Sequence, residues 1–544
     1  MKITWLFVLV LFFNFNIHAQ PQEINQYEVF ELIFSGENYS TYDNPVRDIS
    51  LLTTWEHPDE ILVVYGFYDG DGKGGANGNI FKVRFCATLP GKWELIKVES
   101  NDPKLNAQHE GLELHCSAGS HPGFWLVDDQ SQGKRWFCRS NGEHRFILGN
   151  TFYSFVSESG PDRSGGGSIR EDVINTGKYF NKIRFAITGD IYPNPSQKPF
   201  LDHRGNQTDN GNFSHRPNPV WFQDRVDLAV RTCYEKDIIA DIIINGPDSP
   251  ESRSILKTME NGGDNTPILR YIAARYGSFP NVWICLSNEY NIRNPSYTES
   301  EIVSFGYRIR EFLPYSTPVS VHANQQDWDT GLNRERSWNV HVILQNKLKT
   351  LYAAADFAEK NYWKAGGFKP VINDELAYEG EGDGWSEEDV IEAFLGAFLG
   401  GSYGSTGYKS GHKLGHYFIG DFIVDEHTSA DNLGWMLKII NENISFWNME
   451  PVPYSYTNGI TSAIFRDIID SFRALIWPGH EYILGSNQAK KDVLARLPDG
   501  TWRVRQYDII SKTEKELAAS ASGSFRFDVP DSRAVITHII RIKK

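Results

Sequence analysis

Two short runs of the chain place carboxylates where chemistry is possible. The apolar run Val282–Leu286 leads into Ser287, Asn288 and Glu289, and Val371-Ile372 leads into Asn373, Asp374 and Glu375. In both, a buried strand surfaces at an ionisable side chain. Two carboxylates facing one another across a cleft are what glycosidic-bond cleavage needs, one protonated as acid and one ionised as nucleophile or base. A glutamate that merely follows a buried strand into solvent would look the same in isolation, so the case rests on what brings the two runs together. Side chains alternate along a strand, so only one of Asp374 and Glu375 is expected to enter the cleft.

The surrounding pattern supplies the framework. From residue 145 onward, strand-like segments alternate with amphipathic helical ones: RFILGN, KIRFAITGD, IIADIIING, NVWICLSNE, TPVSVHA, WNVHVILQ, KPVINDE and FLGGSYG. Between them, Ile268, Leu269, Ile272 and Ala273 share one helical face that stops at Gly277, and Ser386 caps a helix with acids in its first turn. Eight β/α alternations predict an α/β fold, a (β/α)8 TIM barrel over residues 141–478, whose chemistry sits at the C-terminal strand ends. No G-x-G-x-x-G opens the region, which argues against a doubly wound sheet.

Residues 21–140 carry short period-2 strands, as in IFKVRFCATLPGKWELIKV, and predict an N-terminal β-sandwich. Residues 479–544 predict a small C-terminal β-sandwich. Asp69 to Asn79 is rich in Asp and Gly, but Ile80 stands where a calcium loop needs its glutamate, so a glycine-rich hairpin turn is expected. Residues 1–19 read as a signal peptide, with Lys2 before the apolar run Trp5–Phe13 and Ala19 at the exit. An exported protein, periplasmic or extracellular, with no membrane span is expected. Five cysteines are too few for a disulfide scaffold, although Cys116 and Cys138 could pair, and neither CxxC nor HExxH occurs. With 54 basic and 69 acidic residues the net charge is −15, which disfavours nucleic acid as a partner. The 13% aromatic share suits stacking on sugar rings, though cores also consume aromatics.

RYGSFPNVWICLSNEYN resembles the fourth-strand region of the retaining glycoside hydrolases of clan A, where an Asn-Glu pair ends the strand. Residues 27–95, with GFYDGDG and FKVRFCATLPGKWEL, resemble the small β-sandwich of unknown function that precedes such barrels in polysaccharide-degrading enzymes. The barrel is similar to the apiosidase-like group. The resemblance implies Glu289 as acid/base beside Asn288 and Glu375, in PVINDE, as nucleophile. It also implies a polysaccharide or oligosaccharide substrate, a double-displacement mechanism and no cofactor.

Other strand-end residues are candidates to reach a sugar: Arg184, which could also orient the nucleophile, His322, Gln345 and Tyr403. Trp385 is a candidate stacking platform, and His341 is expected to be a satisfied core histidine. The long polar segment after the second strand carries Lys198, His203, Arg204, His215 and Arg216, and is expected to be a loop over the catalytic face. Arg204 and Arg216 could there receive an anionic sugar, unless Glu379, Glu381 and Asp383 pair with these bases. Two alternatives stand beside the hydrolase: a non-catalytic carbohydrate-binding barrel, and a serine esterase built on Gly400-Gly401-Ser402-Tyr403-Gly404 with a later histidine.

Overall fold

The computed structural model describes residues 22–543 except 159–167, 190–196, 210, 212–215, 247–248, 258–264, 293, 324–331, 333, 335, 381–384, 409–421, 423, 453–464 and 467–471. The segment read as a signal peptide lies outside the described residues.

Residues 22–117 form a seven-stranded sheet. The strand Glu60–Tyr68 serves both halves of it. Its first part pairs with Leu51–His57, and Gly66 to Tyr68 pair with Gly78–Cys86. The crossing falls at Gly66, where a Cβ would lie 2.6 Å from Leu51, so only glycine lets the strand pass. Trp55 stacks on Phe85, which meets Trp93 edge-on, and this trio fills the space inside. The Asp69–Asn79 stretch is the hairpin turn that its glycines suggested. Asp71 accepts from the N–H groups of Lys73 and Gly75, both at 2.7 Å.

The central unit is an eight-stranded parallel sheet closed into a barrel. Its strands are β1 (Leu148–Thr151), β2 (Lys182–Ala186), β3 (Ile239–Asn245), β4 (Val282–Ser287), β5 (Val319–Ser320), β6 (Val342–Leu344), β7 (Val371–Glu379) and β8 (Tyr403–Tyr408). The hydrogen-bonded order is β5-β4-β3-β2-β1-β8-β7-β6. A parallel bridge from Val319 to Asn339, just before β6, closes the ring. Helices α1 (Ile169–Thr176), α2 (Asp227–Glu235), α3 (Thr266–Tyr276), α4 (Glu299–Phe312), α5 (Leu351–Lys364), α6 (Glu387–Leu399) and α7 (Ser429–Asn443) pack outside. The Ser386 cap is present: its Oγ accepts from Asp389 N–H, and Asp389 returns the bond to Ser386 N–H. Among the described residues no helix is long and apolar enough to cross a membrane.

A buried ionic knot joins the first unit to the barrel. Asp227, the first residue of α2, accepts from Arg275 at 2.9 Å and from Arg84 at 3.2 Å, while Arg275 also donates to Asp69 at 2.8 Å. The two guanidiniums outweigh burial and hold the Asp227 carboxyl far below the usual range. After Phe472 the chain is all strand. Together with the earlier strands Glu450–Pro451 and Phe465–Arg466, these residues make a six-stranded and a three-stranded sheet that enclose Trp502, Tyr482 and Phe527.

Candidate active site

Glu289 and Glu375 meet at the C-terminal mouth of the barrel. Gln345, the first residue past β6, donates from Nε2 to Glu289 Oε1 at 2.6 Å and to Glu375 Oε2 at 2.9 Å. One amide nitrogen therefore bridges the two carboxylates, and those two legs keep the bridged oxygens within about 5.5 Å of one another.

Each carboxylate is aimed by a local departure from regular backbone. In β7, Asn373 pairs with Gly404 and Ala377 with Thr406, so Asp374, Glu375 and Leu376 lie opposite Ser405 alone. The bulge breaks the alternation, and both acids point into the barrel. Asp374 takes the lower layer, accepting from Ser405 Oγ at 2.6 Å and from Lys182 Nζ. Glu375 takes the upper one. Only Glu375 reaches the cleft, but strict alternation is not the reason: the bulge turns Asp374 inward as well, one layer below. At the end of β4, Glu289 adopts φ +40°, a left-handed conformation that a glutamate holds only under constraint. The buried Arg253 supplies it, donating to the carbonyls of Asn288 at 2.8 Å and Glu289 at 3.0 Å.

Polar groups beneath the pair form one connected set. Tyr153, just past β1, donates its hydroxyl to Glu375 Oε1 and accepts from Arg184 Nη1 at 3.0 Å. Arg184 also donates to Asn288 Oδ1 at 2.9 Å, and His322 Nδ1 lies 2.6 Å from the same oxygen. Asn288 thus spends its carbonyl inward, and among the described residues its amide NH2 has no hydrogen-bond partner. Burial, reinforced by the Arg184 charge, drives His322 down to about 3, so its ring is neutral. Burial and the Glu289 charge push Glu375 up to about 7, against the pull of Arg184 and the Tyr153 hydroxyl.

The structure thus gathers Glu289, Glu375, Asn288, Arg184, His322 and Gln345 from five strand ends. Arg184 does not bond the Glu375 carboxylate directly; it acts through Tyr153. Trp385 lies at the rim, half-buried, with Lys349 Nζ 5.1 Å over its ring. Sequence reasoning missed Tyr153 and Arg253. Tyr153 had a usable signal, a tyrosine immediately after a barrel strand, whereas Arg253 had none.

Several expectations fail. Tyr403 begins β8 instead of ending it, because Phe398 and Leu399 belong to α6. Its ring packs on Trp136 at the foot of the barrel, and its Oη accepts from Phe137 N–H at 2.9 Å. Arg204 and Arg216 are not over the cleft. Their segment forms a three-stranded patch, Phe200–Leu201, Gln207–Thr208 and Arg216–Pro217, folded onto the N-terminal unit. Gly205 there abuts Thr41, and Arg216 is buried with Nη2 donating to Asn77 at 2.8 Å. Glu379 does not face those bases; it caps α7, accepting from Thr428 and Ser429 N–H at 2.9 Å. His215, Glu381 and Asp383 lie outside the described residues.

Ser402 serves no nucleophile elbow, since it is buried and donates to Ala397 O at the end of α6. All five cysteines are free, so Cys116 and Cys138 are not bridged. His341 is in the core against Trp283, as expected, but neither ring nitrogen has a hydrogen-bond partner.

The parallel (β/α)8 barrel is a fold shared with solved structures described as glycoside hydrolases. A candidate glycoside hydrolase from Bacteroides vulgatus ATCC 8482 matches at 20% identity over 96% of this chain and 100% of its own, with a TM-score of 0.71. A glycoside hydrolase family 5 protein from the same organism matches at 14% identity over 77% of this chain and 94% of its own, with a TM-score of 0.57. These likenesses establish the fold. Residues 131–413, more than half the chain, match the family described as apiosidase-like, catalytic domain. The chain belongs to that apiosidase-like family. Residues 23–100 match a domain of unknown function, DUF5060. No curated protein matches the chain.

Proposed function

We propose that the protein is an exported glycoside hydrolase that cleaves a polysaccharide or its oligosaccharides with retention. The observation that carries this reading is the Gln345 bridge, whose legs hold an oxygen of each carboxylate within about 5.5 Å of the other, the close approach that a retaining pair needs. Glu375 is the nucleophile. Tyr153 donates to it with the Arg184 cation behind, and both oppose the burial that lifts its carboxyl to about 7, so the reactive form is the one in which Glu375 is ionised and Glu289 carries the proton. Glu289 protonates the departing oxygen while Glu375 attacks the anomeric carbon. The glycosyl-enzyme ester is then opened by a water that Glu289 deprotonates. The spare amide NH2 of Asn288 suits a sugar hydroxyl, and Trp385 at the rim suits a ring face. No step requires a metal or an organic cofactor.

The family name makes apiosides the first substrates to try, within a panel of plant and bacterial polysaccharides. NMR of the first-formed product reads the anomeric outcome. An inverted product would sink the double displacement, and no turnover on any glycan that binds would favour the non-catalytic reading. Export is tested by N-terminal sequencing of the mature protein, with cleavage expected after Ala19.

A further inference from the structure

Away from the cleft, three potential metal ligands converge near the foot of the barrel. Asp128 follows the strand Trp125–Val127, which pairs antiparallel with Phe137–Arg139. Leu126 lies opposite Cys138, and Asp128 N–H donates to Trp136 O, so Asp128 and Cys138 are diagonal neighbours on one face of the ribbon. The chain then reverses at Gly142, φ +86°, and brings His144 back to the same spot. His144 Nε2 lies 2.8 Å from Asp128 Oδ2, and one donor atom from each of the three residues lies within 4.8 Å of the others. Among the described residues, no other trio of His, Cys, Asp or Glu converges in this way.

We propose that Asp128, Cys138 and His144 bind a divalent transition metal of the zinc class. A carboxylate oxygen, an imidazole nitrogen and a thiolate suit a borderline-soft ion that accepts four ligands, and they do not suit calcium or magnesium, which take oxygen. Water completes the fourth position. The ligands are held in advance of the ion. The second oxygen of Asp128 accepts from Gln130 N–H at 2.8 Å, and the His144 ring lies flat on Trp447, with centroids 4.7 Å apart and planes at 10°. Asp128 and His144 side chains are 8% and 16% exposed, which shields the ion while leaving it a way in. Binding replaces the Cys138 S–H bond with a sulfur–metal bond and releases the proton to solvent. His144 leads into β1 from below, and Trp447 follows α7, so the ion would clamp the ribbon to the base of the barrel. That is the end of a barrel associated with stability.

The test uses the full chain, reduced, stripped with a chelator and titrated separately with Zn²⁺ and Co²⁺. One equivalent of zinc is expected to bind and raise the melting temperature. Cobalt should give a near-ultraviolet thiolate charge-transfer band. Cys138→Ser should abolish that band and, like His144→Ala, weaken zinc binding by more than the roughly tenfold to hundredfold cost of losing an outer partner. Circular dichroism checks that both variants fold. Equal zinc affinity in wild type and Cys138→Ser, or a cobalt spectrum lacking the thiolate band, would overturn the site and leave a plain His144–Asp128 hydrogen bond.

Discussion

Tyr153 stands between Arg184 and Glu375: its hydroxyl accepts from the guanidinium at 3.0 Å and donates to the carboxylate. The arginine therefore acts on Glu375 through a neutral relay, which lets the carboxylate stay reactive instead of being locked in an ion pair. Tyr153→Phe removes a hydrogen bond to a charged oxygen, worth about 1.5–3 kcal/mol. The expected loss is about tenfold to a hundredfold in kcat with KM little changed. The Glu375 pKa should also rise above its value of about 7, because a donor to the ionised form is gone. A kcat–pH profile of the variant reads both effects, and an unshifted limb would remove Tyr153 from the relay.

The two glutamates should fail differently. Glu375→Ala removes the nucleophile and should abolish turnover on every substrate. Glu289→Ala removes proton transfer, worth about 10²- to 10⁴-fold, and on aryl glycosides whose leaving groups need no protonation it should spare kcat/KM, which reports the first step, while kcat falls because release of the sugar still lacks its base. Parallel assays on an activated aryl glycoside and a natural oligosaccharide separate the roles. If the two variants lost activity on both substrates alike, the division of labour proposed here would not stand.

Burial of Glu375 links stability to pH. Its carboxyl titrates near 7 when folded and near the ordinary 4.5 when unfolded. Between these values the folded protein holds a proton that the unfolded chain has released, so stability falls as pH rises through the window. Glu375→Gln should cancel that slope. Relative to wild type the variant gains nothing below pH 4.5 and gains on the order of 3 kcal/mol above pH 7. Urea denaturation at pH 4.5, 6 and 8 measures it, and a gain that is the same at all three values contradicts the mechanism.

The barrel was legible because its signals are local. A buried parallel strand reads as a continuous apolar run, and Val282–Leu286 or Ile239–Asn245 leave little else to infer. Glu289 and Glu375 were legible for the same reason, each standing at the end of such a run. What failed depended on partners distant in sequence. Arg216 looks like a free base until Asn77, 139 residues earlier, claims it. Tyr403 was misplaced because Phe398 to Gly404 is apolar enough for either a helix end or a strand, and the position of α6 decided it. The β7 bulge has no sequence mark, yet it determines how two adjacent acids share one barrel.

That sharing gives the sharpest test of the nucleophile. Asp374 is fully buried, and Lys182 joins it to Asp241, 2.8 Å from the same ammonium. Burial works against every charge here. The Lys182 and Arg184 cations nonetheless hold Asp374 down to about 2, while Asp241 and Asp374 keep the Lys182 ammonium above its ordinary range. These are the marks of a paired structural charge, not of a group poised to attack a sugar. Asp374→Ala leaves Lys182 half-compensated in the barrel interior and should cost about 3–5 kcal/mol of stability. Lys182→Met leaves two acids facing each other and should cost a similar amount. The double variant Lys182→Met/Asp374→Leu should cost clearly less than the two single losses combined, because it removes one charge of each sign. Denaturant curves on the four proteins measure the coupling, with turnover followed alongside. If Asp374→Ala kept wild-type stability and lost all turnover while Glu375→Ala remained active, the nucleophile would be Asp374 and the lower layer would be the reactive one.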